Sequence, residues 1–402
     1  MVWGTKGNGA ATVVNNAGID FGTSNVGGAL SATASAGNIT QNGGAITVAG
    51  TSSFILGANS ANVVLDHASN AFSGAVTLLA GAGGSQAFGN VTFVDDSAVK
   101  IDANADAAGD LYLNAGTDGA VGGNLAVTAT TGNITQGVAV AVTGTSAFTT
   151  SASDATITLG TTTNALGGTV AFTTAGTAGN VVIDNGTTGL DLAASTINGT
   201  LTATGGATAG IVDSGNVAVA GNVTLTTDAG NGVINMGTLQ QSAGDLILVT
   251  NGNGAATVVN NAAIDFGTSN VGGALDVTAS AGTITQNGGA LTVAGTSAFT
   301  TSTNDQAITL SNTTNALTGA VAFTTGGTTG NVVIDNGTTG LDLAASTING
   351  TLTATGGATA GIVDSGNVAV AGNVTLTTDA GNGVINMGTL QQSAGDLILV
   401  TN

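Results

Sequence analysis

A 402-residue chain with 67 Gly, no Pro, no Cys and a formal charge of −20 is far from the composition of an ordinary globular protein. Its 22 acidic residues, all Asp, face only two basic ones, Lys6 and Lys100, which excludes phosphate-backbone binding as a main role and argues against anionic membrane surfaces. Charged residues make up 6% and hydrophobic residues 42%, and Val, Ile and Thr replace the helix formers Glu, Arg and Lys, so a helical chain and a disordered chain are both excluded.

From the N-terminus onward one phrase recurs: glycine, any residue, apolar, any residue, apolar, then usually threonine. Seventeen copies run from Gly28 to Gly395. In Gly221 to Thr226 the alternation puts Val223 and Leu225 on one side and Asn222, Thr224 and Thr226 on the other, the period of a half-buried strand. Gly, Asn, Asp and Ser fill the intervals and supply turns. No run of about 18 apolar residues marks a membrane helix. The segment Met1 to Gly9 has no apolar stretch of the secretory-signal kind, so export would need a lost signal or another route.

The first part, residues 1–122, is irregular: spacings after Gly74 fall to 15, 20 and 14. Two coils there lack segments like Asn331 to Ala345 and Ala255 to Asn270, and the coil register over 74–123 stays open. From Gly123 the spacings settle between 21 and 31. Residues 179–251 and 330–402 are identical at an offset of 151, and Gly244 to Gly395 divides that period into six phrases. The first coil repeats too: Gly7 to Asn16 is Gly252 to Asn261, and Phe21 to Leu30 is Phe266 to Leu275. The chain stops at Thr401-Asn402, matching Thr250-Asn251, and is expected to be one segment of a longer shaft or to stack end to end.

Strand-length phrases at solenoid spacing predict an all-β, single-stranded parallel β-helix, about 16 coils of roughly 20–30 residues. It is read as one continuous elongated domain, with an irregular part over 1–122 and a regular part over 123–402. The right hand is expected from the bias of parallel crossovers. Each coil covers the apolar side of the next, about 4.8 Å away. Residues that tolerate self-stacking, Asn, Thr, Val and Phe, follow from that arrangement, and Phe148 with Phe172 and Phe299 with Phe323 are expected to stack inside.

Chemistry has few materials. His67 is the one histidine and follows Asp66, a pair that could orient a base, but no nucleophile accompanies it. Asp95-Asp96 could be a carboxylate pair for glycoside hydrolysis, but the aromatic and basic residues of such clefts are missing. Asp102, Asn104, Asp106 and Asp110 space oxygen donors like positions 1, 3, 5 and 9 of a calcium loop. Ala107 and Leu113 stand where that loop has Gly and Glu, so an acidic turn competes with calcium binding. Thr-x-Thr strands at Thr202/Thr204, Thr224/Thr226, Thr353/Thr355 and Thr375/Thr377 suggest a ladder that could lie on ice or a glycan surface, set against plain strand propensity.

Gly221-Asn-Val-Thr-Leu-Thr226 and Gly244-Asp-Leu-Ile-Leu-Val249 resemble the repeat of filamentous-haemagglutinin-type exoproteins, over most of the chain. The resemblance implies a right-handed β-helix shaft from a large bacterial adhesin exported by two-partner secretion, acting at the cell surface. The family's secretion domain and toxic C-terminal domain have no counterpart here. The expected function is a non-catalytic shaft or extracellular filament, with no cofactor unless calcium binds. Its expected partners are further copies or coils, with host or environmental glycans as surfaces, and no nucleic acid or membrane insertion. A flat surface binder is the first alternative and a β-helix carbohydrate enzyme the second.

Overall fold

The computed structural model describes residues 3–4, 7–81, 86–115 and 119–402. Lys6 lies outside them. Among the described residues every element is a strand, and the ladders are parallel apart from an isolated antiparallel bridge between Gly206 and Gly210. The chain is a β-solenoid of about 17 turns, and it divides into two compact units, residues 1–203 and 204–402.

In the first unit the early coils each give one strand to each of three faces. Ala11–Asn15, Leu30–Ala34, Ser52–Leu56 and Val76–Ala80 stack on one. Ile19–Phe21, Ile39–Gln41, Ala61–Leu65 and Phe88–Asp95 form the next, and Ser24–Val26, Ile46–Val48 and Ala71–Phe72 the third. Leu125–Ala129, Ser146–Ser153 and Thr169–Ala175 then continue from Phe88–Asp95.

The irregular stretch has a definite cause. Asp110–Asn114 pairs with Val76–Ala80, and Val99–Asp102 lies on its other side and leads on to Ile134–Gln136. Spatial order there departs from chain order, which is why short glycine spacings could not be converted into coils.

In the second unit Leu275–Ala279, Ser297–Asn304 and Val321–Gly326 stack in register, followed by Ser346–Ile348 through Thr324 and Thr347. Val332–Asp335, Leu352–Gly356, Val374–Thr378 and Leu397–Thr401 stack on a neighbouring face. The phrase therefore changes face. Copies at Gly273, Gly295 and Gly319 lead strands of the first column, whereas those at Gly350, Gly372 and Gly395 lead strands of the second. The 31-residue interval from Gly319 to Gly350 holds a turn and a further face.

The interior is dry and aromatic in runs. All ten Phe are at most 1% exposed. Phe148 stacks on Phe172 at 6.0 Å and Phe299 on Phe323 at 5.9 Å, as expected from equivalent positions one turn apart. Phe21, Phe54, Phe72 and Phe93 form a longer run at 5.5–5.9 Å between centroids. Val170, Val223, Leu225, Leu275 and Val277 point inward as the alternation requires.

Asparagine acts differently from a simple side-chain ladder. On the outside its carboxamide oxygen accepts a backbone N–H of the next turn: Asn38 from Asn62, Asn62 from Asn90, Asn90 from Asn124, Asn124 from Thr145. Within the wall, pairs such as Gln286 and Asn315 exchange two hydrogen bonds at 2.6 and 3.0 Å. The same pairing joins Gln41 to Asn70 and Gln136 to Asn164. Each turn thus ties down polar groups that stacking has removed from water.

Candidate functional site

Two places gather polar side chains in a way that bears on function: the turn around Asp102 to Asp110, and the outward threonine columns.

Around the acidic turn, Val99–Asp102 alternates so that Lys100 and Asp102 project from the same side of the strand, and they form an ion pair there. The Lys100 ammonium holds the Asp102 carboxyl below its ordinary range, and Asp102 in turn raises the lysine. The other Asp102 oxygen accepts the Ala103 N–H at 2.8 Å. Asp110 is buried and accepts the N–H groups of Ala107 at 2.8 Å and Asp106 at 3.3 Å. Asn104 and the Asp106 side chain are exposed. Asp110 and Asp102 therefore serve the turn and the lysine. Among the described residues no three His, Cys, Asp or Glu side chains gather as a metal site. The i, i+2 relation of Lys100 to Asp102 was the signal in the sequence that this carboxylate has a nearer cation.

His67 is a turn residue. Its Nδ1 accepts the Ser69 N–H at 3.1 Å and its own N–H meets Gln41 Oε1 at 3.2 Å. Asp95 and Asp96 separate: Asp95 is buried and Asp96 exposed, so the two do not flank a cleft as a carboxylate pair.

The threonines split between faces. Thr353 and Thr355 stack on Thr375 and Thr377, giving two aligned rows two turns deep. Beyond them stand Val333 and Asp335 on one side, Ile398 and Val400 on the other. Thr224 and Thr226 meet Ile247 and Val249. Thr202 and Thr204 lie on the strand Leu201–Gly205, with Thr202 exposed and Thr204 half-buried. The longer columns lie elsewhere. Thr128, Thr149, Thr173 and Thr196 stack in the first unit, and Thr278, Thr300, Thr324 and Thr347 in the second. Alanines run beside them at 126, 147 and 171 and at 298 and 322. Sequence reading favoured the Thr-x-Thr strands; the register shows that a single Thr per strand, kept on one face, makes the longer row.

A family model described as Repeats of unknown function (DUF5649) matches residues 8–79, 88–173, 178–250, 253–324 and 329–399. The chain belongs to the DUF5649 repeat family. No curated protein and no solved structure matches it. Four of the five matched segments each hold one trio of phrases: Gly28, Gly50 and Gly74 in residues 8–79, Gly199, Gly221 and Gly244 in 178–250, Gly273, Gly295 and Gly319 in 253–324, and Gly350, Gly372 and Gly395 in 329–399; residues 88–173 hold five. The strands of a trio share a face, and within the second unit the next DUF5649 repeat starts its trio on another.

Proposed function

We propose that this chain is a non-catalytic spacer: a shaft segment of a secreted bacterial surface adhesin or extracellular filament, built to be lengthened by whole repeats. The reading is supported by interchangeable seats. Leu246 and Leu248 are fully buried under the strand Ile264–Val271, with Leu246 opposite Phe266 and Val249 opposite Asn270. The identical residues Leu397 and Leu399 are 49% and 54% exposed. The covering sequence, residues 252–271, recurs at 7–26 with one difference, Gly18 for Ala263. The first coil of another copy carries the same residues toward that seat, with Trp3–Gly4 already paired to Ser24 and Asn25 along part of the edge.

The test is to delete residues 179–329, one 151-residue period. The shortened chain is expected to keep the per-residue far-ultraviolet dichroism of the full chain. An unfolded or molten product would defeat the spacer reading. Self-association is read separately, by sedimentation of the full chain with and without Leu399→Asp. Association that the substitution leaves untouched would rule out this seat.

A second reading, a flat binder of ice or glycan surfaces, is favoured by the columns of four threonines beside alanine. Stacked strands repeat at about 4.8 Å, so each column offers evenly spaced hydroxyls and methyls. Measurable thermal hysteresis, lost in Thr300→Glu, is its expected result for ice. A freezing gap equal to that of buffer removes ice, and an empty glycan array removes the rest.

A further inference from the structure

At one corner of successive turns a buried side chain accepts a backbone N–H from the turn before. Asn70 takes Ile46, Asn164 takes Val140, Asn185 takes Leu166, and Asn315 and Asn336 take Leu291 and Leu317, all at 2.8–2.9 Å. The Asn carboxamide also donates: Asn185 to Leu166 O and Gly189 O, Asn336 to Leu317 O and Gly340 O. In one turn the place is taken by an acid. Asp95 Oδ1 accepts Phe72 N–H at 2.9 Å, and Asp95 is 2% exposed. Its Oδ1 also takes Asp96 N–H and its Oδ2 the Ser97 hydroxyl. An ionised carboxylate has no hydrogen to give back, so the donor half of the corner is missing whenever Asp95 is charged.

We infer that Asp95 is a proton-operated seam, closing the corner between residues 70–73 and 95–98 when it takes up a proton and loosening it when it is ionised. The three hydrogen bonds that Asp95 accepts favour its charge, and burial with the neighbouring Asp96 carboxylate favours the proton and outweighs them. Asp96 lies beside it, Asp66 and His67 lead into Ala71–Phe72, and Asp106 and Asp110 stand in the turn packed against Ala98. The strand Leu125–Ala129 stacked on it carries no titratable side chain. A shallow pocket of about 260 Å³, lined by Phe72, Asp96, Ser97, Ala98 and Gly109, gives water a route to the corner. Burial pushes the Asp95 carboxyl above its ordinary 3.8; the hydrogen bonds it accepts from Phe72, Ser97 and Asp96 pull it back only in part, and the Asp96 charge adds to the rise.

The direction follows from linkage. A carboxyl raised on folding binds its proton better in the folded state. Its stabilisation is complete below 3.8 and disappears as pH rises through the raised value. Asp154, Asp305 and Asp364, held low by hydrogen bonds, act the opposite way only as pH falls below 3.8. The seam is therefore read between neutrality and the onset of that acid loss.

Hydrogen exchange at the amides of Phe72 and Asp96 tests it. After correction for intrinsic rates, protection is expected to rise as pH falls from 7, by at most about tenfold per pH unit. Asp95→Asn restores the donor and is expected to give high protection at pH 7 with no slope. Asp96→Asn is expected to move the rise to lower pH. Protection that is flat in the native chain, or equally steep in Asp95→Asn, overturns the inference. Should Asp95→Asn fail to fold, the native slope and the Asp96→Asn shift decide it alone.

Discussion

Replacing Phe299 with Ala is expected to destabilise the second unit by about 3–5 kcal/mol, the usual range for emptying a fully buried aromatic site. Phe299 stands between two other rings, Phe266 at 6.2 Å edge-on and Phe323 at 5.9 Å stacked. Below it Val277 and above it Phe323 are held by backbone pairing, Val277 to Phe299 and Phe299 to Phe323. The strands cannot close in without giving up that pairing, so the cavity stays open and its cost is high. Phe299→Leu keeps most of the volume and is expected to cost less than half as much. Urea midpoints at unchanged slope give both numbers. A loss below about 1 kcal/mol for Ala would mean that the stacked coils relax far more freely than their register implies.

An equally large loss is expected from adding one methyl group at Gly210. Its φ is +69°, a left-handed conformation. A Cβ there falls on the carbonyl oxygen of Val233, the acceptor of the Ile211 N–H one turn away. Left-handed strain alone costs an alanine roughly 1–2 kcal/mol. The collision adds to it, because the obstacle is backbone already committed to a hydrogen bond. Gly361 repeats the geometry at φ +71° against Val384, so Gly361→Ala should match. Gly7 has φ +67° but nothing within 4 Å of an added Cβ. Gly7→Ala therefore isolates the strain, and similar losses at positions 7 and 210 would show that close packing of turns contributes little.

Much of this architecture is legible because its rule is local. Alternation inside each phrase tells which side chains are inside, and Val223, Leu225, Phe172 and Phe323 are where that rule places them. What alternation cannot tell is which face a strand occupies. All faces look onto the same dry interior, so a phrase reads alike on each of them. Corner geometry decides the matter, and corners are short runs of Gly, Asn, Asp and Thr with little pattern of their own. Asp95 was hidden for the same reason. In Asp95-Asp96 nothing in the pair itself says that the first side chain turns inward to meet Phe72 and the second outward. At the calcium-like spacing, the count of oxygen donors does not reveal that Asp102 pairs with Lys100 on the same strand side.

The threonine columns stop at four residues because Val94 and Val259 stand before their first members on the same ladders and Ala369 follows Thr347. Three intervals of about 4.8 Å make a strip only about 14 Å long. Adding repeats therefore multiplies small patches and extends none of them. Any gain in avidity from a longer array depends on whether one ligand can reach successive patches at once.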